Sequence, residues 1–176
     1  KPVVILSDNS IEAALLGFKN IIGADISDKA LKATKANMAW IQANFQLSTF
    51  YFQLFHSDAT QISKRLPSNS VDAIITEPYL GPQRGLRDIN KIIKELEKLY
   101  SESLREFYKI LKPTGRIVMI WPVFQGKYQS NFINPKLNDF TIINSIPASL
   151  QKNIFLKLTG RGTIIYGREG QKVWRE

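Results

Sequence analysis

The 176-residue sequence predicts an α/β protein built on a mostly parallel sheet with helices on both faces. Three observations carry that expectation. Short apolar runs, best seen in Val71-Asp72-Ala73-Ile74-Ile75-Thr76, alternate with stretches of helical periodicity. The longest such stretch, about 88–111, places Ile89, Ile92, Leu96, Leu99, Phe107 and Ile110 at helical spacing. Asp25 and Asp58 each follow a strand candidate, where open α/β sheets present ligand-binding groups.

The elements follow in order. Ser10 can cap a short helix over about 11–17, which Gly17 ends. Asn20–Asp25 reads as a strand. Ser27 then caps a helix over about 28–43, with Asp28 in its first turn, where the helix dipole favours an acid. Leu31, Thr34, Met38 and Ile41 share one face of that helix. Phe50 to His56 is an aromatic-rich strand, and 71–76 is the next. Pro113 and Gly115 stop the long helix, and Arg116–Trp121 forms another strand. Phe140–Ile146 and Thr163–Tyr166 read as two late strands. No internal repeat or low-complexity tract interrupts the pattern.

Size and composition narrow the class. A chain of this length forms one domain, 1–176, large enough to bury a core. No segment reads as a membrane span or signal peptide. The absence of cysteine excludes disulfides and thiolate metal sites and suits a cytoplasmic protein. The single His56 cannot form a histidine metal cluster, so no metal is expected. Charge is uneven: residues 1–83 hold seven Lys/Arg against seven Asp/Glu, while residues 84–176 hold seventeen against eight and carry the whole formal +9. A basic half beside a neutral one suggests a polyanionic partner, RNA or DNA, against the alternative of a well-solvated surface.

The most telling stretch is Thr76-Glu77-Pro78-Tyr79-Leu80-Gly81-Pro82. Pro78 fixes its own φ and biases Glu77 towards an extended shape, so the chain leaves the sheet in a defined direction. A hydroxyl, a carboxylate and an aromatic ring held at a strand end suit a flat polar substrate such as a nucleobase. Asp25 stands where doubly wound folds place an acid for ribose hydroxyls. Asp58, one strand further, is within reach of the adenine end of a nucleoside laid across the same edge. Either acid alone reads as a loop residue or cap; together with the tip they point to a nucleoside cofactor.

In the order Gly23-Ala24-Asp25, Ala36-Asn37, Ser57-Asp58-Ala59 and Thr76-Glu77-Pro78-Tyr79, the chain resembles the class I S-adenosylmethionine-dependent methyltransferases. It is most similar to the amino-methylating branch, whose fourth motif reads Asp/Asn-Pro-Pro-Tyr/Phe. Leu111-Lys112-Pro113-Thr114-Gly115-Arg116 resembles the turn into that fold's fifth strand. Tyr166-Gly167-Arg168-Glu169-Gly170-Gln171-Lys172-Val173 resembles the tail of THUMP-associated tRNA guanosine N2-methyltransferases. The resemblance implies a Rossmann-like sheet with one antiparallel late strand, and S-adenosyl-L-methionine as cofactor. It implies a cofactor set of Asp25, Ile26, Asp58 and Ala59, in which Asp25 binds the ribose, Asp58 the adenine amino group, and the Ala59 backbone the ring. Thr76, Glu77, Pro78 and Tyr79 become the catalytic corner, with hydrogen bonds orienting an exocyclic amine and Tyr79 stacked on an unpaired base. The implied substrate is RNA, specifically tRNA, methylated at guanosine N2.

Two departures stand out. The fourth motif has one proline, so Thr76 or Glu77 must serve as the acceptor, and Glu77 is the favoured residue. The expected glycine-rich first turn is also absent: Lys1-Pro2-Val3-Val4-Ile5-Leu6-Ser7-Asp8 contains no glycine, so the first strand and turn are expected to be truncated or missing. A fragment lacking that motif and any upstream RNA-binding domain would explain this. Arg84 and Arg87 could meet phosphates beside the target base, with Arg161, Arg168, Lys172 and Arg175 extending the track. An equal alternative is ordinary surface pairing, as between these arginines and Asp88. Trp121 could wall the base pocket, or belong to the core. Competing functions are a nicotinamide dehydrogenase, a non-catalytic RNA-binding protein of the same fold, and methylation of DNA adenine or a protein amide.

Overall fold

The computed structural model describes residues 2–6, 10–45, 50–82, 88–126, 129–144, 146, 149, 158–167 and 173–176. The chain divides into two compact units, residues 1–78 with 102–119, and residues 79–101 with 120–176.

The first unit is a five-stranded sheet in the order β3-β2-β1-β4-β5, parallel at every pairing. Its strands are β1 (Pro2–Leu6), β2 (Asn20–Asp25), β3 (Tyr51–His56), β4 (Val71–Thr76) and β5 (Leu111–Met119). The order reverses at β1, which lies between β2 and β4. The first strand is therefore present, contrary to the expectation that it was truncated or missing. The β-rich run Val3-Val4-Ile5-Leu6 supplies it, in register with Ile21–Gly23 on one side and Ala73–Thr76 on the other. Only three residues separate it from α1 (Ser10–Leu15), and Ser7, Asp8 and Asn9 lie outside the described residues.

The helices of this unit follow their capping signals. Ser27 caps α2 (Asp28–Asn44), its side chain accepting from the amide of Ala30. Thr34, Met38 and Ile41 form the buried stripe, spaced by four and three residues. Met38 joins Ala13, Ala14 and Ile21 in one core cluster, with Phe50, Phe52 and Ile75 packed against it. α1 ends at Leu15 rather than 17, and Gly17 adopts φ +83°. Ser10 lies in that helix and is buried.

The long helix, α3, runs Ile89–Ile110. β5 begins immediately after it at Leu111, five residues before the expected strand start at Arg116. Leu111 pairs with Val71 and Arg116 with Ala73, so Lys112–Gly115 form a bulge where a turn was expected. Gly115 suits it because a Cβ there would stand 2.9 Å from the Lys112 carbonyl. The α3 carbonyls of Lys109 and Ile110 accept from the amides of Asn69 and Ser70, which closes the helix C-terminus.

The second unit contains a three-stranded antiparallel sheet, β7-β6-β8, from β6 (Pro122–Gln125), β7 (Ser130–Phe132) and β8 (Val173–Arg175). The late antiparallel pairing thus occurs in a separate sheet rather than in the parallel one. The expected strands at 140–146 and 163–166 do not form among the described residues. Ile142 and Ile143 are exposed and can bury no face, and only Tyr166 makes an isolated bridge, to Arg175. β6 instead carries Val123 and Phe124, both fully buried.

Candidate functional site

The carboxyl edge of the parallel sheet brings the two acids together. Asp25 ends β2 directly opposite His56 at the end of β3. Its Oδ1 accepts from the Ser27 amide at 2.7 Å, a turn that fixes the carboxylate just before α2 begins. Its carbonyl accepts from the Ser57 amide at 3.0 Å, which joins the two strand ends. Ile26, between the acid and its cap, is 63% exposed despite being a large apolar side chain. An isoleucine left open beside a carboxylate is suited to covering one face of a flat ring.

Asp58 caps the short 3-10 helix Ala59–Lys64. Its Oδ1 accepts from both the amide and the hydroxyl of Thr60, each at 2.8 Å. The other carboxylate oxygen takes no part in that turn. Asp25 and Asp58 therefore have their backbones set by local caps and follow adjacent strands, about 5 Å apart in the sheet.

Thr76 ends β4, in register with Leu6 on β1 and Met119 on β5. It is two strands from Asp25, a lateral separation of about 10 Å. Thr76 is buried, and Glu77 and Pro78 are half-buried. This edge fits the adenosine part of S-adenosylmethionine: carboxylates at two strand ends can accept from hydroxyl and amino groups, and Ile26 offers an apolar face. Ser10 Oγ, at the start of α1, is buried and has no hydrogen-bond partner among the described residues.

In the second unit, the main chain after Pro78 is closely held. The Tyr79 carbonyl accepts from the Tyr100 hydroxyl at 2.7 Å. Leu80 is buried, and Gly81 adopts φ +89°. A Cβ on Gly81 would lie 3.3–3.4 Å from Phe124, Ile92 and Leu96, tighter than ordinary packing. The Tyr79 ring nevertheless stays 63% exposed. Tyr100 is fully buried, and that burial, with Tyr79 nearby, holds its phenol well above the ordinary tyrosine range, so it remains a donor.

The remaining expected contacts divide. Arg84, Arg87, Arg168 and Lys172 lie outside the described residues. Trp121 is buried, its backbone paired in both directions with Glu176. Arg161 is engaged within its unit: Nε pairs with Glu176 at 3.1 Å, Nη2 donates to the Ile133 carbonyl, and the guanidinium lies over Phe132. The sequence reading missed Tyr100 and Gly81. The spacing Ile92–Leu96–Tyr100 would have put Tyr100 on the buried helix face, but nothing in it announces a bond to the tip.

Comparison with known proteins places this geometry. One similar protein is the tRNA (guanine(10)-N2)-dimethyltransferase of Pyrococcus abyssi, 27% identical over 112 residues, 64% of this chain. Another is the type II methyltransferase M.HpaI of Haemophilus parainfluenzae, 35% identical over 83 residues, 46% of this chain. The matches span 30% and 25% of those proteins' own lengths. A methyltransferase structure from Methanosarcina mazei superposes with a TM-score of 0.50 at 18% identity, over 72% of this chain and 54% of that one. A methyltransferase homologue from Pyrococcus horikoshii gives 0.50 at 20% identity, over 69% and 39%. The fold is that of the class I S-adenosylmethionine-dependent methyltransferases, with the Rossmann-like sheet described above. Residues 6–126, which hold both acids and the tip, match the model of the RMKL-like methyltransferase domain (UPF0020), and the chain belongs to that family.

Proposed function

We propose that the protein methylates an exocyclic amino group of a nucleobase, guanosine N2 in tRNA, using S-adenosylmethionine. The observation that carries this is Tyr79: a large aromatic ring left 63% exposed on a main chain that is held, immediately after a polar strand end. An immobilised, open ring is suited to stacking on a base, and the stacked base must be unpaired or flipped out.

When bound, S-adenosylmethionine supplies an electrophilic methyl group on a sulfonium. Asp25 holds the ribose hydroxyls, Asp58 accepts from the adenine amino group, and Ile26 and Ala59 line the ring. Glu77 accepts a hydrogen bond from the target amine and takes up the proton that the amine loses on methylation. Thr76 and the main chain of the tip provide further acceptors. An aromatic amine is a poor nucleophile because its lone pair is delocalised, so holding it at the right angle contributes much of the rate. The basic residues 84–176, with the excess positive charge, support a polyanionic substrate. The likeness to a tRNA-modifying protein supports RNA. The shorter match to a type II methyltransferase supports a second reading, methyl transfer to DNA, for which adenine N6 would be the exocyclic amine.

The test offers the intact protein labelled S-adenosylmethionine with unmodified tRNA or duplex DNA, and identifies product nucleosides by mass spectrometry. N2-methylguanosine from tRNA is the expected product. N6-methyladenine from DNA would establish the second possibility. Absence of transfer, with no cofactor binding by calorimetry, would leave a non-catalytic RNA-binding protein.

A further inference from the structure

We propose that Tyr100 is a positioning residue for methyl transfer, acting through its hydroxyl on the Tyr79 carbonyl to hold the catalytic tip in register. It rests on the function proposed above, in which Thr76–Tyr79 orients the target amine.

The tip has an unusual division of labour. Tyr79 exposes 63% of its surface, yet its carbonyl is bound by the fully buried Tyr100 at 2.7 Å. Ile92, Leu96 and Tyr100 recur every four residues on α3, so they form one stripe on the helix. Ile92 and Leu96 approach Gly81 closely enough that an added methyl would crowd them, while Tyr100 reaches Tyr79. The same helical face thus fixes Tyr79 and Gly81, on either side of buried Leu80.

Backbone freedom around Tyr79 is limited from both directions. Pro78 fixes the φ that precedes it. The Tyr100 bond fixes the plane of the peptide that follows it, and so the ψ of Tyr79. With both set, the ψ of Pro78 and the φ of Tyr79 are the dihedrals left between them, and the peptide joining Tyr79 to Leu80 moves little. Without the hydroxyl, that peptide plane can rotate, and a stacked base turns with it. Misplacement of about 1 Å at a reacting centre can cost on the order of 100-fold in rate. A phenol is suited to this work because its ring fills the core while its hydroxyl reaches one defined acceptor.

Tyr100→Phe removes the hydroxyl and keeps the ring. The intact protein is compared as wild type, Tyr100→Phe, Tyr79→Ala, and Ile133→Val as a control at another fully buried side chain. Tyr100→Phe is expected to lower kcat for tRNA methylation at least tenfold, with cofactor affinity and the KM for tRNA within twofold. Hydrogen exchange at the Leu80 and Gly81 amides is expected to accelerate at least tenfold, with α2 unchanged. Ile133→Val should reproduce any small loss of stability without the loss of kcat. A Tyr100→Phe enzyme within twofold of wild type in kcat, with unchanged exchange at 80–81, would overturn the positioning role. If Tyr79→Ala also leaves kcat unchanged, the tip itself is not the amine-orienting corner and the proposed function fails separately. The exchange measurement needs no turnover, so it tests the clamp whichever substrate the enzyme takes.

Discussion

The carbonyl of Asp25 accepts a hydrogen bond from the amide of Ser57 at 3.0 Å, tying the ends of β2 and β3 together. That main-chain bond sets the spacing of the two strand ends, while each carboxylate is anchored locally through its Oδ1, Asp25 by the Ser27 amide and Asp58 by Thr60. Among the described residues, the Asp25 carboxylate is committed only to its Ser27 turn through Oδ1. Asp25→Ala is expected to weaken S-adenosylmethionine binding by about 10- to 100-fold, the value of a hydrogen bond to a charged group. Calorimetry measures it, and unchanged affinity would remove Asp25 from the cofactor site.

The observed capping role of Asp58 can be separated from its proposed contact with the adenine amino group. As a cap it accepts twice from Thr60, so Asp58→Ala should cost about 1 kcal/mol of stability in urea unfolding. Asp58→Asn keeps an acceptor for the cap but changes the charge presented to the adenine amino group. The expected result is near-native stability with weakened cofactor affinity. Loss of stability without loss of affinity in either variant would confine Asp58 to capping.

Gly81→Ala meets two obstacles at once. The φ of +89° is unfavourable for an alanine, and the new methyl would crowd Phe124, Ile92 and Leu96 at 3.3–3.4 Å. The expected loss is about 1–3 kcal/mol. Because Gly81 is two residues from Tyr79, kcat should fall by more than the drop in folded fraction explains, which parallel unfolding and single-turnover measurements resolve.

Glu106 sets part of the acid response. Burial alone would raise its pKa, but hydrogen bonds from Lys109 and Ser63, with the Lys109 charge, outweigh it and leave the carboxyl below the ordinary range. A pKa lower in the folded state than in the unfolded one means that the unfolded state binds the proton more readily. Its stabilising contribution is therefore present above the unfolded pKa and is lost as pH falls through the folded one. Glu106→Gln should lower stability at about pH 7 and flatten the loss of stability between there and about pH 3. Urea midpoints across that range check it; equal slopes in both proteins would exclude Glu106 from the acid response.

Much of the parallel sheet was legible because each element carried its own local signals. β2 and β4 match their expected bounds because apolar runs end at recognisable acids and turns. α2 was legible from Ser27 and from the spacing of Thr34, Met38 and Ile41. β1 was obscured by an expectation of glycine after it, although Val3–Leu6 has ordinary strand composition. The late strands failed for a different reason. An apolar run such as Ile142-Ile143 does not say whether a partner exists, and burial went to Val123 and Phe124 instead. Of the candidate site, the strand-end positions of Asp25, Asp58 and Thr76 could be read in advance because each follows a recognisable apolar run. The Tyr100 bond could not, because it joins residues 21 positions apart through tertiary packing.

The central place of β1 governs how the molecule comes into being. Its strand pairs with β4, residue 3 with residue 73, so the sheet cannot close when its amino-terminal half leaves the ribosome. Until β4 has been synthesised, β1 keeps one edge unpaired. Parallel pairing over such a distance is slow and exposes the nascent chain to aggregation. The strand at which the order of the parallel sheet reverses is thus also the one that waits longest for its second neighbour.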